Sequence, residues 1–280
     1  MLKNKYDFVA IISAKRANPN GDPLNGNRPR EDNNGYGEIS DVCLKRKIRN
    51  RLIDMGEDVF VQSDEKRVDE YKSLSERASA SLKGLEKDRD QYAKAACEKW
   101  IDVRAFGQVF AFKKRTGIPE VSVGVRGPVS IHPGFSVDPI EIEDLQITKS
   151  VNSEPSEKKS SDTMGMKHRV NFGLYVTKGS INVQLAEKTG FTDEDAEKIR
   201  QALITLFEND ASSARPEGSM VVEKVYWWKH NNKSGQYPTV KVHNSVTIKP
   251  KEEGKIPQSI DDYLIEYTPL EDLEMELYEV

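Results

Sequence analysis

The chain has 280 residues, 36% of them hydrophobic, enough to bury a sizeable core in one domain with insertions or in two small ones. A formal net charge of -4 argues against a polycation that coats nucleic acid indiscriminately, so any such binding must come from a local patch. The longest apolar runs fall far short of a membrane span, and Met1 to Lys5 lead into the first strand with no signal-peptide core. Two cysteines, Cys43 and Cys97, give neither metal spacing nor a disulfide framework, so the expected compartment is the cytoplasm.

Phe8 to Ile12 is short, rich in β-branched residues and bounded by turn formers, as a buried strand is. The loop from Arg16 to Arg30 carries Pro19, Gly21, Pro23, Gly26 and Pro29, which forbid continued strand or helix. It therefore presents Asn18, Asn20, Asp22, Asn25 and Asn27 on an irregular surface. Ser40 is a good N-cap, Asp41 suits the positive end of a helix dipole and Gly56 is a stop, which predicts a helix between them. At about 100° per residue, Leu44, Ile48, Leu52 and Met55 line one stripe, while Lys45, Arg46 and Arg49 fall on other faces and reach solvent. These cations are either a solvated charge run or grips for phosphate. Their closeness to a Gly/Asn loop and to a helix N-terminus, whose free N–H groups bind phosphate oxygens, makes Tyr6 to Met55 a candidate RNA-holding unit.

Three sharper motifs fail on this loop. Gly21-Asp-Pro-Leu-Asn-Gly26 has the glycine spacing of a P-loop, but Asn27-Arg28 stand where Lys and Ser or Thr are required, and Pro29 removes a donor. Asn18, Asn20 and Asp22 imitate the opening of an EF-hand, yet Pro23 takes the place of its Gly and Pro29 that of its closing Glu. Asp22 could serve a nuclease, but no His or second carboxylate stands beside it. The expectation is no cofactor, no metal and no catalytic residue.

From Asp64 to Trp100 the stretch is strongly charged, with Val68, Tyr71, Leu74, Ala78, Leu82 and Leu85 at helical spacing, so a helical insertion is expected over 57–100. Beyond it, Arg104 and Phe106 are either a cation and a stacking ring for a base, or an ion pair and core packing. Val121 to Ile131 predict a strand bent or bulged at Gly124 to Gly127, and Ile140, Ile142, Leu145 and Ile147 continue extended structure. Apolar content then collapses, predicting a long exposed loop over 149–169. It ends in Met164-Gly-Met166-Lys-His-Arg169, where the methionines either fill core or wedge between stacked bases beside Lys167, His168 and Arg169.

Val170 to Thr177 and Ser180 to Leu185 read as a strand pair turning at Lys178-Gly179. Thr192 opens a helix in capping-box style, with Ala196, Ile199, Leu203, Leu206 and Phe207 as its core stripe. Met220 to Lys229 and Thr239 to Lys249 predict a long-looped hairpin around Asn231 to Gly235. Leu273, Met275 and Leu277 alternate with acids as a half-exposed final strand. Two helices against one antiparallel sheet is an α+β, ferredoxin-like or RRM-like plan, here a single domain over 1–280 carrying insertions. The aromatic motif by which an ordinary RRM reads RNA is absent, so a different surface would have to bind.

Asn18-Pro-Asn-Gly-Asp-Pro23 after the first strand, Gly37-Glu-Ile-Ser-Asp-Val42 opening the basic helix, Asp102-Val-Arg104 with Phe106-Gly107, and Met166-Lys-His-Arg169 together resemble the guide-RNA-binding backbone subunit of type I CRISPR Cascade complexes, the type I-C branch most of all. The similarity runs over essentially the whole chain. It implies an RRM-like palm with inserted helical fingers and a thumb loop, and copies that polymerise head to tail along the CRISPR RNA. It also implies other Cascade subunits as partners, target DNA met by guide pairing in antiviral defence, and no membrane. By the same resemblance Ser40, Lys45, Arg46 and Arg49 grip the RNA backbone and the loop over 149–169 kinks the guide. Arg16, Asn18, Asn20, Arg104, Phe106, Met164, Met166, Lys167, His168 and Arg169 complete the candidate RNA-binding set. The alternative is an enzyme like the type III backbone subunits, which cleave target RNA with an Asp in the loop after the first strand, the place of Asp22.

Overall fold

The computed structural model describes residues 1–114, 120–148, 164–252 and 254–280. Its first strand, β1 (Tyr6–Ala17), is buried without a break from Tyr6 to Ala14, because it runs through the middle of a sheet with both faces covered. One short pair, β2 (Gly21–Asp22) with β3 (Arg28–Pro29), shapes the loop after it, and β4 (Tyr36–Ile39) leads into α1 (Asp41–Asp54). The insertion follows with α2 (Leu74–Ser81), α3 (Arg89–Lys99), α4 (Ile101–Phe106) and a hairpin of β5 (Gly107–Phe112) and β6 (Val121–Arg126). Then come β7 (Val129–Ile131), β8 (Gly134–Pro139), β9 (Ile142–Thr148) and the long β10 (Met164–Ile181). The chain continues through α5 (Val183–Thr189), α6 (Asp193–Ile204), β11 (Met220–Lys229), α7 (Thr239–His243), β12 (Val246–Pro250), β13 (Tyr263–Tyr267) and β14 (Glu274–Glu279).

The main sheet runs β14-β11-β1-β10-β8-β4, with β7 and β9 also paired to β10. Its middle strands β11-β1-β10-β8, joined through α1 and α6, have the fourth-first-third-second order of a split β-α-β plan, the mixed α+β architecture expected from the sequence. Side chains of a strand alternate between faces, so Phe8, Ala10 and Ile12 pack under α1 and α6 against Leu44, Ile48, Leu52, Ile199 and Leu203. Val9 and Ile11 point the other way, into a second layer closed by Tyr226, Trp228, Val242 and Tyr263 beneath the β12–β13 strap. The insertion has its own core of Phe60, Tyr92, Trp100, Val103 and Phe110, and this core draws in Val121 and Val123 from β6, beyond the expected limit at Trp100.

Several sequence expectations are corrected. Val170 to Leu185 is not a strand pair: β10 runs straight through Lys178-Gly179 to Ile181, and Asn182 then caps α5. Gly179 makes no turn; it clears space, since a Cβ there would lie 2.1 Å from the Phe8 ring and 2.5 Å from Ser130 O. Met164 to Arg169 are strand rather than loop, paired with Thr148 to Glu143; the rest of the expected loop, 149–163, lies outside the described residues. Thr239 to Lys249 does not return against β11, whose two edges are taken by β1 and β14. It forms α7, and β12 then pairs with β13 instead. The expected bend near Gly124 to Gly127 is a break between β6 and β7. Among the described residues no helix is long and apolar enough to cross a membrane.

Candidate nucleic-acid interface

The loop after β1 is held by its own amides. Arg16, exposed, takes a left-handed φ of 53° as the strand ends. Asn18 is buried, its backbone N–H donating to Ala214 O and its side-chain Nδ2 to Asn27 O at 2.7 Å. Asn20 Oδ1 accepts from both the backbone N–H and the hydroxyl of Ser40, at 2.9 and 2.8 Å, and Ser40 Oγ in turn accepts from Cys43 N–H to cap α1. Asn20 thereby fixes the cap of the helix. Asp22 Oδ1 accepts from Leu24 N–H and lies 3.4 Å from Arg30, so it caps one turn of the loop.

On α1 the apolar stripe is as expected: Leu44, Ile48 and Leu52 are buried and Met55 is half-buried. The cationic faces differ from expectation, because the insertion and the 205–215 segment pack against them. Arg49 is not free in solvent: its side chain is 12% exposed, it donates to Asp102 Oδ2 at 2.9 Å, and its guanidinium lies 5.2 Å from the Phe106 ring centre. Arg46 donates to Val61 O at 2.7 Å, and burial pushes its pKa down from its ordinary value. Lys47 is buried against Asp210, an acid shared with Arg215, and burial pushes its pKa down as well. Lys45 keeps a more open setting than Arg49, its side chain 25% exposed and paired with Asp41 one turn away at 2.9 Å.

Asp102 is the hinge between helix and insertion. Nearly fully buried, it accepts from Phe60 N–H at 2.7 Å and Val61 N–H at 3.1 Å as well as from Arg49. Arg104 makes a two-pronged pair with Asp195, at 3.0 and 2.7 Å, while Asp195 also closes the capping box with Thr192. Phe106, partly buried, packs at the margin of the main core beside Arg49.

The second group of candidates sits on the β9–β10 hairpin. Met164 and Met166 are 54% and 55% exposed on one face of it, next in line to His168. His168 Nδ1 lies 2.7 Å from Asp144 Oδ1, and Arg28 of β3 pairs with the same carboxylate. Hydrogen bonds from Arg28 first and His168 second hold the Asp144 carboxyl down to about 2. Arg169 pairs with Glu143 at 2.7 Å, and Lys167 donates to Ser213 O at 2.8 Å. The structure thus brings the loop after β1, the base of the hairpin and the 210–215 segment together, while Arg49, Arg104 and Phe106 hold the insertion in place. Asp144 and Asp210 were missed from sequence, and so were the partners of Asp102 and Asp195, because each acid meets its cation across the fold and a carboxylate in a long chain carries no signal of that. Among the described residues no group of three His, Cys, Asp or Glu side chains converges as a metal site would.

A family model described as CRISPR-associated protein Cas7 matches residues 4–268. The CRISPR-associated protein Cas7 of Haloferax volcanii is 24% identical over 285 residues, which span 95% of this chain and 82% of that protein. Among solved structures, a chain of a "CRISPR RNA-guided surveillance complex, pre-nicking" aligns with a TM-score of 0.47 at 17% identity, covering 86% of both chains. A chain of a "CRISPR RNA-guided surveillance complex" aligns with a TM-score of 0.43 at 19% identity, covering 80% of this chain and 68% of that one.

Proposed function

The chain belongs to the CRISPR-associated Cas7 family, and we propose that it is a guide-RNA-binding backbone subunit of a type I Cascade complex, of the type I-C branch. Copies of it polymerise head to tail along the CRISPR RNA and present the guide for pairing with target DNA, beside other Cascade subunits. The observation that carries this reading is a family match running over almost the whole length of the chain. The geometry supports it in two places. Arg16 is exposed and Lys45 partly exposed on the two segments that the Asn20–Ser40 hydrogen bond joins, and the β9–β10 hairpin offers Met164 and Met166 on an anchored, two-stranded base.

No observation favours the endonuclease reading, because Asp22 already has a loop-capping role and a basic neighbour in Arg30. The direct test is to purify the protein from its native operon and sequence the RNA that accompanies it. Repeat-spacer guides are expected; random RNA, or none, would overturn the proposal.

A further inference from the structure

The sheet face turned away from α1 and α6 is the face on which RRM-type sheets stack bases. Most of it is closed here: Phe172, Tyr226 and Trp228 lie buried beneath β12, β13 and the segment around Leu273. Over β10 and β8 the cover is incomplete and leaves a cleft of about 460 Å³, within the roughly 300–1,000 Å³ of pockets that take small organic groups. Val9, Val176, Val246 and Ile248 are among its aliphatic lining, and Phe135, His132 and Lys178 line it as well. The strand register explains why these side chains meet. Phe135 stands opposite Val176 and Val9 opposite Lys178, and directly paired residues share a face. Phe135 leaves 43% of its surface to solvent. Lys178 pairs with no described carboxylate, and the His132 ring centre lies 6.0 Å from that of the buried His243.

We propose that this cleft holds one nucleotide of a single-stranded nucleic acid, its base against the Phe135 ring and its phosphate at Lys178 and His132. An exposed aromatic on a strand is a platform for any base, and the aliphatic side chains of β12 line the same cleft. An unpaired lysine beside it suits the anionic backbone. An aliphatic side chain of a protein partner would use the aliphatic lining but would leave both the ring face and the lysine unanswered. The inference rests on the proposed function only for the source of the strand; the cleft lies on the other side of the sheet from α1.

The test uses the protein both alone and loaded with guide RNA, with a short single-stranded DNA not complementary to the guide and carrying a fluorescent adenine analogue. Stacking should quench the analogue. Phe135→Leu, which keeps apolar bulk, should abolish the quenching and weaken binding about tenfold. Lys178→Gln should weaken binding and lower the slope of log affinity against log salt by about one. Both variants should melt as the parent does and retain guide RNA as before. Unchanged quenching and affinity in well-folded variants would overturn the cleft assignment, as would adenosine monophosphate alone binding as tightly as the strand. So would loss of self-association in Phe135→Leu with oligonucleotide binding intact, which would make the cleft a protein-docking surface. The guide reading fails separately, if no guide RNA is retained by the unaltered protein.

Discussion

Replacing Lys45 by Glu and, separately, Arg49 by Glu should have unlike consequences, because the two cations stand in unlike surroundings. Lys45 and Asp41 keep 25% and 38% of their side chains in solvent. An exposed pair one turn apart contributes about 0.3–0.5 kcal/mol, and making it like-charged costs a similar amount, so the Lys45 variant should lose less than about 1 kcal/mol of stability. Arg49 and Asp102 keep 12% and 1%, and Asp102 also holds the Phe60 and Val61 amides of the insertion. Reversal there sets two carboxylates face to face; breaking one partner out of a buried pair costs about 3–5 kcal/mol, and the lost contact with Phe106 adds up to about 1. Against a total stability on the order of 5–15 kcal/mol, that is a large share. Urea unfolding followed by tryptophan fluorescence should show the difference, since Trp100 reports from within the insertion core. RNA binding at several salt concentrations completes the assay: Lys45→Glu should weaken binding alike for all guide sequences and lower the salt slope by about one or more. An Arg49→Glu protein as stable as the parent would refute the structural role of the Arg49–Asp102 pair. A folded Lys45→Glu protein that binds RNA with the same affinity and salt slope would remove α1 from the interface.

Asp22→Ala should cost about 1 kcal/mol, the usual worth of a lost cap, and leave interference by the assembled complex intact; metal-dependent cleavage of complementary RNA that vanishes in this variant would contradict it. Asp144→Asn should loosen the hairpin base, seen as faster amide hydrogen exchange over Lys167 to Val170. With its pKa held down to about 2, the native carboxylate should keep that protection through mildly acid pH. Met164→Ser with Met166→Ser should change stability by no more than about 0.5 kcal/mol, both side chains being exposed, while complexes assembled on RNA become irregular in length, as native mass measurement would show. Burial pushes the His243 pKa below its ordinary 6.5. The unfolded chain then takes up a proton first as pH falls, so stability present above about 6.5 should decline from there through the folded-state value. Thermal melts across that range, compared with His243→Gln, should show the slope largely gone in the variant.

What could be read in advance was local. Ser40, Asp41 and Gly56 mark α1, and Thr192 with Asp195 marks α6, because caps act within one turn of chain and leave their residues side by side in the sequence. The short, β-branched-rich run from Phe8 to Ile12 announced a buried strand for the same reason. What failed was set by partners far along the chain. Lys178-Gly179 has the composition of a turn, yet the glycine is there because Phe8 crosses over it. Asn231 to Gly235 turns the chain, but β11 already had a neighbour on each side. The cations of α1 fell off the apolar stripe as periodicity requires, and nothing local could tell that Asp102 and Asp210 would come to meet Arg49 and Lys47. For the candidate residues, the sequence therefore foresaw the elements they sit on better than the side chains they would touch.

The place of β1 in the middle of the sheet has a consequence for how the protein is made. Its buried residues need β10 on one side and β11 on the other, with Tyr6 finally opposite both Ile181 and Lys229. A ribosome adding roughly 5–20 residues per second leaves this apolar segment unpartnered for on the order of ten to forty seconds after it emerges. Contacts so distant in sequence also make the closing of the sheet slow once the chain is complete. During that interval an unpaired, β-branched strand is what a holding chaperone binds and what another nascent chain can pair with. Yield in the cell should therefore respond to translation rate and chaperone supply more than to any substitution on the finished surface.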